Sequence, residues 1–208
     1  MIIPAGKKVN LFTKNFTQPV LQANEELILN EDINLNISSS FESLADNSSK
    51  LGAIIGQLSK EYLNFTVSGQ FKELGFQLWT KSEPISLSFT ASLIRKTNAR
   101  EDNMKPAEKL MKIPVPAIDR KTNNLIPPGP SITSLYKKDK SQSQALYGLI
   151  IGGLRLNPVI ITSVEPVFKT EIDDTYGFMQ VDLKFDIKTL YSATKDMITS
   201  MLDTVPEI

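Results

Sequence analysis

The side chains able to do chemistry are few. The 208 residues include no Cys and no His. That removes thiolate nucleophiles, disulfides, the usual general base near neutral pH and the commonest ligands of zinc and other transition metals. An enzyme would have to be assembled from carboxylates, Lys or Tyr. The spacing nominates no pair of carboxylates facing one cleft, as glycoside hydrolysis requires. The chain therefore reads as non-enzymatic, with no catalytic residue, no metal ligand and no cofactor. Glu171, Asp173 and Asp174 form an acidic cluster, but they lack the ligand spacing and turn glycine of an EF-hand loop. A polar hairpin turn is the better reading. Gly148, Gly152 and Gly153 match neither dinucleotide nor phosphate-loop spacing, and read as bulges or close strand packing.

Lys137, Lys138 and Lys140 surround Asp139 in a Ser/Gln-rich stretch and read as a solvated loop rather than a phosphate site. Trp79, the single Trp, stands near Phe76. The pair suits a sugar-stacking platform, but a buried anchor is the preferred reading. Asp182, Lys184, Asp186 and Lys188 alternate along one segment, as on a solvent face whose charges pair across strands. In a ring, that face would line a hydrated channel, which makes these four the candidate lumen-facing residues.

Such residues need elements to hold them. Over 25–38, Leu27, Leu29, Ile33, Leu35 and Ile37 alternate with polar residues, predicting one or two half-buried strands turning at Asn30-Glu31-Asp32. Ser39 and Glu42 have capping-box spacing, and Phe41, Leu44, Leu51, Ile54, Ile55, Leu58 and Tyr62 recur at helical intervals. This predicts an amphipathic helix over 41–62. Ile85, Leu87, Phe89, Ala91 and Leu93 alternate with Ser86, Ser88, Thr90 and Ser92, a long strand with one dry face. A short helix is predicted over 100–113, with Pro106 in its first turn. Residues 114–144 hold five prolines and the run KKDKSQSQ, predicting a long surface loop that orders against a neighbour.

Apolar runs at 146–156 and 158–170 flank Asn157-Pro158, read as a turn. Met179, Val181, Leu183, Phe185 and Ile187 point inward from the next segment, so 158–190 is predicted to be an antiparallel hairpin. Each of its strands runs to about 12 residues, against a usual length of about 5–6. A final helix is predicted over about 193–203, with Met197, Ile198, Met201 and Leu202 on one side.

Hydrophobic residues make up 41% and charged residues 22%, values of an ordinary globular domain rather than a disordered or membrane chain. Lys and Arg total 23, as do Asp and Glu, so the basic excess of an autonomous nucleic-acid binder is missing. The opening MIIPAGKKVNLFTKNF has too short an apolar run for a signal peptide, and synthesis without export is expected.

Three stretches resemble the tail-tube and baseplate tube-initiator proteins of contractile-tailed phages. In GFQLWTKSEPISLSFTASLI at 75–94, a Trp and a following Glu-Pro introduce a long alternating strand. MKPAEKLMKIPVPA at 104–117, with IPPGPS at 126–131, is similar to the short helix and proline-rich loop that follow. IITSVEPVFKTEIDDTYGFMQVDLKFDIKTLYSATKDMI at 160–198 resembles the closing hairpin and terminal helix. Together they span somewhat over half of the chain.

The resemblance implies an α+β fold: a single tail-tube-like domain over 1–208, an antiparallel β-sandwich or barrel with a long hairpin and flanking helices. A helical insertion at about 41–62 and a Pro-rich loop at about 114–144 would decorate it. It also implies a structural virion protein of the tail or baseplate, assembled in the host cytoplasm, whose hexameric ring initiates or continues the tube and lines the DNA channel. The implied partners are further copies of the chain, other baseplate and tail-tube proteins, and DNA that passes without specific binding; no membrane is involved. A second reading is a monomeric glycan- or peptide-binding module using the aromatic segment 65–79.

Overall fold

The computed structural model describes residues 8–13, 16, 18–22, 25–43, 77–94, 97–129 and 146–202. The chain divides into two compact units, one formed by Met1–Ile37 with Pro84–Ile208 and the other by Ser38–Glu83. The expected insertion at 41–62 falls within the second.

The described part is mostly antiparallel sheet with two short helices. In the first unit the strands are β1 (Lys8–Thr13), β2 (Leu27–Leu29) and β3 (Asn34–Asn36). The second unit contributes β4 (Ser39–Ser43) and β5 (Gln77–Ser82), and the first resumes with β6 (Pro84–Ile94). Then come α1 (Lys105–Met111), β7 (Ala117–Ile118), β8 (Leu125–Ile126), β9 (Tyr147–Ile151), β10 (Leu154–Phe168), β11 (Gln180–Ser192) and α2 (Lys195–Leu202).

The main sheet closes on itself. A circuit leaving β10 at Phe168 passes through Val181, Leu93, Leu27, Val9 and Ile151, each paired with the next, and returns to β10 at Leu154. Returning far from its starting point marks a barrel of strongly staggered strands. β3 adds a second short partner to β6 beyond β2, with Asn34–Asn36 opposite Ser86–Ser88.

Alternation decides what fills the barrel. Ile85, Leu87, Phe89, Ala91 and Leu93 of β6 are buried, as are Val181, Leu183, Phe185 and Ile187 of β11. The rings of Phe89 and Phe185, at directly paired positions, stack with centroids 5.1 Å apart. The interior is thus a packed core. The predicted hairpin is β10–β11, paired from Val159–Thr189 to Phe168–Val181 with one register shift near Thr162.

The turns differ from expectation. Asn157-Pro158 lies inside β10, as a cis peptide where the register with β9 shifts between Leu156 and Val159. A proline is tolerated in a strand where a bulge removes the need for its missing N–H. The chain reverses instead at Gly152-Gly153, where Gly152 has φ 55°, a conformation open to glycine.

Pro106 lies in the first turn of α1, as expected, but the helical segment begins before it. A π-helical turn, Arg100–Met104, precedes α1, and the Lys105 N–H reaches back to Arg100 O. The wider turn accommodates a ring that would otherwise clash with the carbonyl four residues back. Ala107 and Leu110 of α1 join the barrel core, as does Met201 of α2. Leu202, expected beside Met201, is 64% exposed. The predicted loop 114–144 contains the small β7–β8 hairpin; residues 130–144 lie outside the described residues.

In the second unit, β4 and β5 form a two-stranded antiparallel sheet. Phe41, Glu42 and Ser43 pair with Trp79, Leu78 and Gln77, so the first three residues of the predicted 41–62 helix are strand. Cross-strand pairing overrides the local capping signal there. Residues 44–62 lie outside the described residues.

Candidate functional site

The strongest polar arrangement lies on the barrel's outer face, where the second set of alternating residues of β6, β11 and β10 points. Asp182, Lys184, Asp186 and Lys188 stand opposite Ser92, Thr90, Ser88 and Ser86 of β6. On the other side, Asp182, Lys184 and Asp186 face Val167, Glu165 and Ser163 of β10. Each charged residue of β11 thus faces a hydroxyl on one flank.

The four candidate lumen-facing residues differ in setting. Asp182 is only 9% exposed. Its Oδ1 accepts bonds from Ser92 Oγ, from Gln180 Nε2 at 2.8 Å and from Asn30 Nδ2 at 3.2 Å, and its Oδ2 meets Lys169 Nζ at 2.8 Å. Burial alone would raise its pKa; the bonds from Lys169, Ser92 and Gln180 outweigh that and hold the carboxyl below its ordinary value. Asp182 is therefore the centre of a buried network rather than a free surface charge. Asp186 is half-buried and accepts Ser88 Oγ at 2.5 Å. Lys184 is exposed, 3.6 Å from Glu165 Oε2, and Lys188 is exposed. The face is charged, balanced and largely self-paired.

The acidic cluster at 171–174 is a turn, as its sequence suggests. Asp173 Oδ1 accepts Thr175 Oγ1 at 2.6 Å, Thr175 N at 2.9 Å and Gly177 N at 3.1 Å, while its Oδ2 accepts Ala99 N at 2.9 Å. The Thr175 hydroxyl, ahead of these amides, holds the carboxyl far below the usual range. Asn103 donates to Phe178 O and Met179 O at 2.8 Å each, fastening the turn to the helix start. A Cβ on Gly177 would come 2.4 Å from the Arg100 nitrogen, so only glycine allows this docking. Glu171 and Asp174 face solvent. Among the described residues, no group of three or more Asp or Glu is placed to hold a metal ion.

Gly148 fits the close-packing reading, because a Cβ there would lie 2.7 Å from the Phe16 ring. Trp79 does not fit its reading as a buried anchor. It is 61% exposed on β5, opposite Phe41, which is 54% exposed. A two-stranded sheet offers no second layer to cover such a pair. Phe76 and the Lys137, Lys138, Asp139, Lys140 group lie outside the described residues.

A groove of about 190 Å³ beside β1 contains Glu25 and Glu26. Both are engaged: Glu25 accepts Gln22 N–H at 2.7 Å, and Glu26 pairs with Lys8 at 2.6 Å. No helix among the described residues is long and apolar enough to cross a membrane.

Sequence reasoning missed Asn30, Ser92, Gln180 and Lys169 around Asp182, and Asn103 beneath the turn. Asn103 had a signal: it sits at helical spacing between Ala99 and Ala107, both buried, and a polar residue on an inward face needs backbone partners. Comparison with protein-family models and with curated protein sequences finds no match for this chain.

Proposed function

We propose that the chain is a structural subunit of a contractile phage tail, a baseplate or tail-tube protein forming a six-fold ring around the DNA path. The observation that carries this reading is the broad β6–β11–β10 face, whose acidic and basic side chains balance, Asp182 pairing with Lys169 and Lys184 with Glu165. Because the barrel interior is filled by side chains, any conduit has to lie between subunits. Such a lumen must be wet yet must not grip phosphates, since each neutralised phosphate adds salt-dependent affinity. Over Ile160–Phe168, β10 pairs only with β11 among the described residues, leaving an edge that ring closure would cover. Electron microscopy of the concentrated protein, alone and with tail components, tests the reading. Annular particles with a central pore are expected; single subunits in every mixture would overturn it.

A second reading has its own observation, the exposed Trp79–Phe41 pair, which suits a glycan- or peptide-binding module. Trp79 is the only Trp, so intrinsic fluorescence reports on it alone. A saturable shift on titration with an oligosaccharide or peptide, from a protein that stays monomeric, would favour this reading over the ring.

A further inference from the structure

Two exposed apolar patches in the first unit lie at opposite ends of one helical segment. At its start, the β10–β11 turn is pinned through Asp173 to Ala99 N and through Gly177 against Arg100. This rigid tip displays Tyr176, 91% exposed at φ 57°, beside Ile172. A bulky residue held at positive φ is costly, so the pinned turn keeps an aromatic ring in solvent against backbone strain. The turn's own exposed charges are Glu171 and Asp174, with the exposed Arg100 at the helix start beside it, so the tip is acidic on balance.

Past the other end, the β7–β8 hairpin carries Ile118, Leu125 and Ile126, with Val115 just before it, all exposed. Asp119 organises its loop, accepting Lys121 N and Thr122 Oγ1. Arg120 and Lys121 are exposed beside it, so the loop keeps a net positive charge. The intervening Arg100–Met111 segment spans roughly 18 Å at about 1.5 Å per residue.

We infer that the acidic, aromatic tip of one copy docks on the basic, apolar β7–β8 hairpin of a second copy. The occupant is a second copy because the two patches match in both respects, apolar against apolar and Glu171 and Asp174 against Arg120 and Lys121. Within one chain the helical segment holds them apart. A contact between different surfaces is head-to-tail, so it repeats until it closes into a ring or propagates. The inference rests on the self-assembly reading above and names the surfaces that would carry it.

Sedimentation velocity tests it on three folded proteins: wild type, the double reversal Glu171→Lys with Asp174→Lys, and the double reversal Arg120→Glu with Lys121→Glu. Circular dichroism melts verify folding, and Tyr176→Ala serves as a variant without charge change. Each reversal should weaken self-association about tenfold or more, as expected for opposed charges across an interface. An equimolar mixture of the two reversals should restore association. Wild-type assembly unaffected by the reversals, or reversals not rescued by mixing, would overturn this interface and leave the ring reading standing. A wild type that is monomeric alone and with tail components would overturn both. If assembly occurs only in that mixture, the variants are compared there by the same criteria.

Discussion

Phe185 and Asp186 are neighbours on β11 in opposite surroundings: Phe185 is 1% exposed and stacks on Phe89, whereas Asp186 is half-buried and bonds Ser88. Phe185→Asp should abolish folding, because it places an unpaired charge in a dry core. Asp186→Ser should cost about 1 kcal/mol or less. Thermal melts compare the two, and equal tolerance would refute the inward and outward assignment. Asp182 gives a prediction in pH. Its folded pKa is depressed, so its stabilisation is present above the unfolded value of 3.8 and is lost as pH falls through the folded value. Stability should therefore drop on acidification below about pH 4, and Asp182→Asn should make that drop shallower. An unchanged acid limb in the variant would count against the network. Alternation made Phe185 legible from sequence. It could not reveal that Asp182 is buried, since that depends on Asn30 and Lys169, distant in sequence.

Among the elements, the long strands were the most legible, because β6 and β11 each have one uniformly apolar row and tolerate only one register. Reversals were less so. Gly152-Gly153 and Asn157-Pro158 both carry turn chemistry within seven residues, and the bulge facing β9 chose between them. The strand at Phe41 and the exposure of Trp79 arise from pairing across a long stretch of chain, which neither helical spacing nor aromatic content encodes. Gly177 was not singled out either, although it fixes how the β10–β11 turn meets the helix start. Gly177→Ala should cost about 1–3 kcal/mol, the usual range for overpacking, since the new methyl would meet backbone at Arg100. Chemical denaturation measures this. Hydrogen exchange should also accelerate at Ala99, whose N–H is bonded to Asp173, and protection there matching wild type would contradict the docking argument.

For the whole molecule, formal net charge is zero, and the broad outer face neutralises its own charge through the Lys169–Asp182 and Glu165–Lys184 pairs. Duplex DNA draws affinity from released counterions in proportion to the phosphates a protein neutralises. Cations already paired with carboxylates have little to offer a phosphate, so this face should let DNA slide past. The protein should accordingly bind duplex DNA no tighter than about 10⁻⁴ M at physiological salt, with a shallow dependence on salt concentration. Removing carboxylates should change that: Glu165→Gln releases Lys184, and the variant should bind DNA more tightly and with a steeper salt slope. In a multi-subunit ring the effect would repeat in every copy, so it should be larger for assembled particles than for subunits. Gel-shift titrations of wild type and Glu165→Gln across a salt series measure both quantities. Sub-micromolar binding by the wild type, or a variant whose salt slope does not change, would contradict the view that charge balance keeps this surface from holding DNA.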